Sequence, residues 1–246
     1  VTRARGFTLI ELLVAMGIGM VVLLLAVSSL DSAGKGYGRN TDGITSEREA
    51  RASLTQIGED LSRAVWHRDT LVKHEGEDRA LDQLGFLMLQ PDDAQSDDER
   101  IGDLCATVYY VADLDTGGRM VRCLMRGFRN SQATFEAVKE GNVASLFGKT
   151  DADEPVAFGV LSFGVTPLRR MESGEWHDME EGEMSSGTTQ PEAFRLKLLL
   201  ARRELAAKLM RSEDWEQSRL IPDSEHVEES NQVEFYEVIQ NFAHPS

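Results

Sequence analysis

An acid stands at the start of the longest apolar run in this 246-residue chain, and its position is the clearest chemical signal present. Glu11 is followed by Leu12 to Leu30, a stretch without a charged side chain. An ionisable group in such a segment costs on the order of 2.5 kcal/mol or more at a bilayer centre, so by default it marks function. Other candidate chemistry is thinner. Asp113-x-Asp115-x-Gly117 alternates carboxylates that could ligate calcium through oxygen. It lacks the glycine and glutamate spacing of an EF-hand and reads as a plain turn. His67, His74, His177, His226 and His244 form no H-E-x-x-H or other close ligand pair. There is no Gly-x-Ser-x-Gly elbow and no phosphate loop. The expectation is a chain with no catalytic residue, no cofactor, no metal site and no enzyme activity.

The element that must position Glu11 is a helix. About 20 consecutive apolar residues suffice to cross a bilayer. Arg3 and Arg5 precede the run, and the string from Gly6 to Met16 reads GFTLIELLVAM. This string resembles the processing site of type IV prepilins and type II secretion pseudopilins. The resemblance implies that a prepilin peptidase cuts between Gly6 and Phe7 and methylates the new amino terminus at Phe7. It places Glu11 at the fifth mature position and implies that this carboxylate meets the freed amine of a staggered neighbour during filament assembly. Opposite charges attract far more strongly in a low-dielectric setting than in water.

Two simpler readings compete. A secretory signal would be cut near Ala26-Val27-Ser28, but its apolar core is shorter and holds no acid. A plain anchor leaves Glu11 idle at the headgroups. Neither accounts for the Gly6-Phe7 junction.

Positive residues before a membrane helix tend to stay cytoplasmic. Arg3 and Arg5 thus place the remainder outside the cytoplasm, and no second long apolar run is present. The expected location is the bacterial inner membrane, single-pass, with a periplasmic head. The expected partners are the prepilin peptidase, other pseudopilins or pilins, and inner-membrane lipid. The formal net charge of −16 argues against nucleic acid, which is bound through clustered Lys and Arg. Acidic runs at Asp92-Asp93, Asp97-Asp98-Glu99, Glu180-Glu181-Gly182-Glu183 and Glu225 to Glu229 read as solvated loops, with weak calcium binding as the alternative.

The domain reading is a leader at 1–6, a transmembrane and filament helix at 7–30, a glycine-rich linker at 31–45 and a pilin-like head at 46–246. Gly34, Gly36, Gly38 and Gly43 weaken any helix through the linker, at about 1 kcal/mol per glycine. Ser46 to Glu49 fits a capping box. Ala50, Leu54, Ile57, Leu61 and Val65 recur at helical spacing, which predicts an amphipathic helix over 46–67. Glu47 with Arg51, and Glu59 with Arg63, are supporting pairs four apart.

Strands are expected at Leu84 to Leu89 and in a hairpin from Ala106 to Arg126 that turns through Asp113–Gly118. Further strands fall at Val156–Val165, Phe194–Ala201 and Glu234–Ile239, with a short helix inside 202–220. Trp176 and Trp215 read as core, with an interface as the alternative, and Leu198 to Leu200 read as buried. The fold class is α+β, a helix packed on one antiparallel sheet behind an amino-terminal transmembrane helix.

Cys105 and Cys123 form a possible disulfide in an oxidising compartment. A hairpin pairing Asp113 with Arg119 would set them four residues out of register, so a bond needs a bulge or bend. The hairpin resembles that of the minor pseudopilin J family. The run from Pro191 to Ala207 resembles the Verru_Chthon cassette protein C family.

Overall fold

Helix α1, residues 48–62, buries the stripe its spacing predicts: Ala50, Leu54, Ile57 and Leu61 are all at most 7% exposed. The structure is a computed structural model. It describes residues 16–20, 22–24, 27, 48–76, 79–90, 102–179, 183, 190–217, 221, 230 and 232–242. The chain divides into two compact units, Val1–Ile44 and Thr45–Ser246. Within the larger unit α1 ends earlier than its apolar spacing suggests. Ala64–Val65 instead form strand β1, pairing with Met88 and Leu87, and the Leu89 N–H donates to the Arg63 carbonyl at 2.9 Å. Backbone carbonyls orphaned at a helix end need partners, and the adjacent strand edge supplies them.

Strands β2 (Leu71–Lys73), β3 (Gln83–Leu89), β4 (Leu104–Asp115), β5 (Met120–Arg129) and β6 (Glu154–Phe158) complete an antiparallel sheet with β1. Helix α2 (Ser131–Glu140) and a 3-10 turn at Val143–Phe147 lie between β5 and β6. A second sheet comes next, with β7 (Val160–Arg170), β8 (Trp176–Asp178), β9 (Ala193–Ala201) and β10 (Val233–Asn241) in the order β10-β9-β7-β8. Between β9 and β10 come two short helices, α3 (Arg203–Ala206) and α4 (Ser212–Gln217), where one was expected.

Among the described residues the head therefore has two sheets rather than one. The expected strand Val156–Val165 is broken at Gly159, whose φ of 75° is left-handed. The chain leaves the first sheet there and enters the second. A Cβ at Gly159 would also lie 3.2 Å from the Ala201 carbonyl oxygen. Gly159→Ala is expected to cost about 1–2 kcal/mol from the left-handed backbone alone. Chemical denaturation of the purified protein measures it, and an unchanged midpoint would refute the corner's role.

The sheets are sewn together next to that corner. Leu81 bridges Phe163 in parallel, the Asp82 N–H donates to the Phe163 carbonyl, and the buried Asp82 carboxylate accepts the Val165 N–H at 2.8 Å. The main core combines the stripe of α1 with Phe86, Tyr109 and Leu124 of the first sheet and Phe163, Phe194 and Leu198 of the second. The far face of the first sheet packs Ala106, Val108 and Met125 against Ala137 of α2 and Phe147. One end of the second sheet is covered by Leu205, Leu209 and Trp215.

Candidate functional site

Gly6, Phe7 and Glu11 lie outside the described residues, as do Ser46 of the capping box, Glu47 of the pair with Arg51, and the glycines of 31–45, whereas Glu49 lies in α1. The apolar run beyond Glu11 is described in part. Positions 16–20, 22–24 and 27 are all helical. Met16, Ile18, Met20, Val22, Leu23, Leu24 and Val27 are each at least 56% exposed. At 100° per residue Met16, Met20, Leu23, Leu24 and Val27 share one face and Ile18 and Val22 take the opposite one, and no charged residue falls between them. A helix apolar all round belongs in a membrane or a large core, and these described side chains are exposed. Among the described residues no helix is long and apolar enough to cross a membrane.

The head presents a set of buried polar ties that no sequence pattern announces. Asp60 sits on the apolar face of α1 between Ile57 and Leu61, with its side chain 2% exposed. Its carboxylate accepts from the Tyr109 hydroxyl at 2.6 Å, from Arg126 at 2.9 Å and from Arg63 at 2.9 Å. Tyr109 and Arg126 face each other across β4 and β5, so one carboxylate joins the helix to two strands. Burial first, then the Asp60 charge, pushes the Tyr109 hydroxyl pKa well up. Burial opposes the charge on Arg126, but Tyr109 and Asp60 outweigh it and raise its pKa. Arg63 thus pairs with Asp60 rather than with the Glu59 side chain, and its Nε donates to the Glu59 carbonyl.

Adjacent residues of a strand point to opposite faces. Tyr110 accordingly makes the equivalent bond on the other side of the sheet, donating to Asp153 at 2.8 Å. Asp153 also accepts from Arg129 at 2.7 Å and from the Thr150 hydroxyl at 2.7 Å. Burial works against its charge, yet these donors prevail and hold its carboxyl down at about 2. Burial together with Asp153 pushes the Tyr110 hydroxyl up to about 12.

A third tie holds the hairpin arm to α4. Arg122, 4% exposed, binds Asp113 at 2.8 Å and Glu216 at 3.3 Å. The buried Trp215 ring N–H donates to the Met120 carbonyl at 3.1 Å. Asp113 is thereby committed to Arg122. Asp115 accepts the Gly118 N–H at 2.6 Å and closes the turn with Gly117 and Gly118 at positive φ. Among the described residues no group of three or more His, Cys, Asp or Glu is placed to hold a metal.

The strand register also separates the cysteines. Asp113 pairs with Arg122, and Cys123 lies opposite Ala112, seven residues along β4 from Cys105. At about 3.4 Å per residue that distance far exceeds the reach of a disulfide. The possible Cys105–Cys123 bond is not made, and both are buried thiols. Burial, with Asp103 nearby, pushes Cys105 up to about 11. Burial, with Asp113 and Glu49, pushes Cys123 up to about 12. The thiolate is the reactive form. Both residues are therefore expected to resist iodoacetamide at pH 8 in the folded protein and to react fully in denaturant. Native labelling at the denatured rate would contradict this, and intact mass is expected to be unchanged by reductant.

Residues 1–27 match the family model of the prokaryotic N-terminal methylation motif. No curated protein and no solved structure matches the chain. The match spans Gly6, Phe7, Glu11 and the exposed apolar helical positions together. It joins the basic start, the junction and the uncovered helix in one signal, so the amino-terminal segment of this chain is a prepilin-type methylation signal.

Proposed function

We propose that this chain is a structural prepilin-like subunit, a minor pseudopilin of type II secretion or a minor subunit of a type IV pilus-like filament or its tip. The match of residues 1–27 to the methylation motif carries the reading. The exposed apolar helical positions support it, because a helix bare on all sides needs lipid or neighbouring subunits to cover it. The prepilin peptidase removes residues 1–6 and methylates Phe7. Lipid of the inner membrane holds the helix until assembly, and Arg3 and Arg5 set the head outside the cytoplasm. The head is large for such a subunit, and it works as a rigid binding and packing element rather than an enzyme.

The test is the mature amino terminus. In cells with an active prepilin peptidase, mass spectrometry is expected to find methylated Phe7 as the first residue. In cells lacking it, the leader remains. A chain that keeps its leader in peptidase-positive cells refutes the proposal and favours a membrane-tethered binding protein. A start near Ser29 favours a secretory signal.

A further inference from the structure

Most sheet edges in the head are blunted. β1 has two residues, β2 three and β8 three. β6 has five, includes Pro155, and slips register against β5 between Leu124 and Met125. Short length, proline and bulges are three means by which folded proteins stop an edge from accepting a foreign strand, and edge charges, lysine above all, are another. β10 carries none of the first three, and its exposed charge is the acid Glu237. It pairs with β9 at nine consecutive positions without a slip, and its sequence contains neither proline nor lysine. It ends the order β10-β9-β7-β8, and β9 is the one described strand that pairs with it.

The outward side chains of β10 fit the same idea. Phe235 and Ile239 are 43% and 39% exposed, with Glu237 between them on the same face. Glu237 reaches Arg195 at 3.5 Å and Lys197 at 3.6 Å, both on β9. The exposed row thus reads apolar, acid, apolar along a straight edge.

We propose that β10 is a docking edge for an extended segment of a different protein, which adds to the second sheet as a fifth strand. That segment carries Lys or Arg opposite Glu237, flanked by apolar residues against Phe235 and Ile239. Main-chain hydrogen bonds supply affinity in such strand addition, and the alternating side chains supply specificity. Charge selects the class of partner. Antiparallel self-pairing that matches Phe235 with Ile239 would set Glu237 of one chain opposite Glu237 of the other, each chain carrying a formal net charge of −16. Like charges opposite one another destabilise a strand pair.

The test uses the full chain in detergent with three blocked nonapeptides: alternating valine and lysine, alternating valine and glutamate, and the first with a central proline. The valine-lysine peptide is expected to slow hydrogen exchange of amides in 233–241 at least tenfold and saturably, while the other two do not. Glu237→Lys is expected to reverse the charge preference. Phe235→Thr with Ile239→Thr is expected to weaken binding at least tenfold while exchange in β7 and β9 stays unchanged, showing that the sheet remains folded. Equal protection by all three peptides, or no protection of β10, overturns the proposal. So does a dimer of the protein alone that the same variants dissolve, because that makes a second copy the occupant.

Discussion

Glu11→Ala and Glu11→Leu are expected to leave cleavage after Gly6 intact while lowering incorporation into filaments at least tenfold. On the proposed function, cleavage frees the amine of Phe7, and stacking of subunits would place it in a low-dielectric environment. An unpaired charge there is strongly unfavourable, and a facing carboxylate offsets it through attraction far larger than in water. Removing the carboxylate leaves the peptidase junction as it was, so processing and assembly should separate cleanly. The measurement compares the methylated mature form in membranes with the amount recovered in sheared or purified filaments. Glu11→Asp should restore part of the loss, because it keeps the charge and shortens the reach. Normal incorporation of Glu11→Leu would remove the pairing from the account and leave only an apolar anchor.

Asp60→Ala is expected to destabilise the head by about 3–5 kcal/mol, the range seen when one partner of a buried ion pair is removed. Arg126 then stays partly buried beside Tyr109 without its counter-charge, and α1 loses its polar bond to β4 and β5. For a domain of this size each kcal/mol moves the melting temperature by about 2–4 °C, so a fall of roughly 10 °C is expected. Tyr109→Phe is the informative control. It removes one hydrogen bond and leaves the charge pair, and about 1–2 kcal/mol is expected. Circular dichroism melts of the full chain in detergent read both. Equal small losses for the two variants would show that the Asp60–Arg126 pair contributes no more than one hydrogen bond.

Local pattern carried much of the fold. The stripe Ala50, Leu54, Ile57 and Leu61 foretold α1, because helical spacing puts those residues on one face whatever they pack against. The β4–β5 hairpin was legible from its β-branched and aromatic runs around Gly117 and Gly118. β9 and β10 were legible in the same way. Helix α2 was missed because its buried residues are Ser131, Thr134 and Ala137, which leave no apolar stripe. Its signal lay at the ends instead. The Asn130 side chain accepts the Ala133 N–H, and Gly141 closes the helix at a φ of 70°.

Gly6, Phe7 and Glu11 are contiguous features that a short string contains completely, so the prepilin-type signal was determined by the sequence itself. The helical stripe and the hairpin belong to the same class, since neighbours within a few residues decide them. Tertiary structure alone decided the rest. A single left-handed glycine, Gly159, divides one apparent strand between two sheets, and periodicity records no backbone angle. The register that parts Cys105 from Cys123 depends on where the turn closes, and moving it three residues changes every cross-strand neighbour. Asp60 and Arg126 are sixty-six positions apart in the chain and 2.9 Å apart in the head, and their attraction exists only once helix and sheet have met.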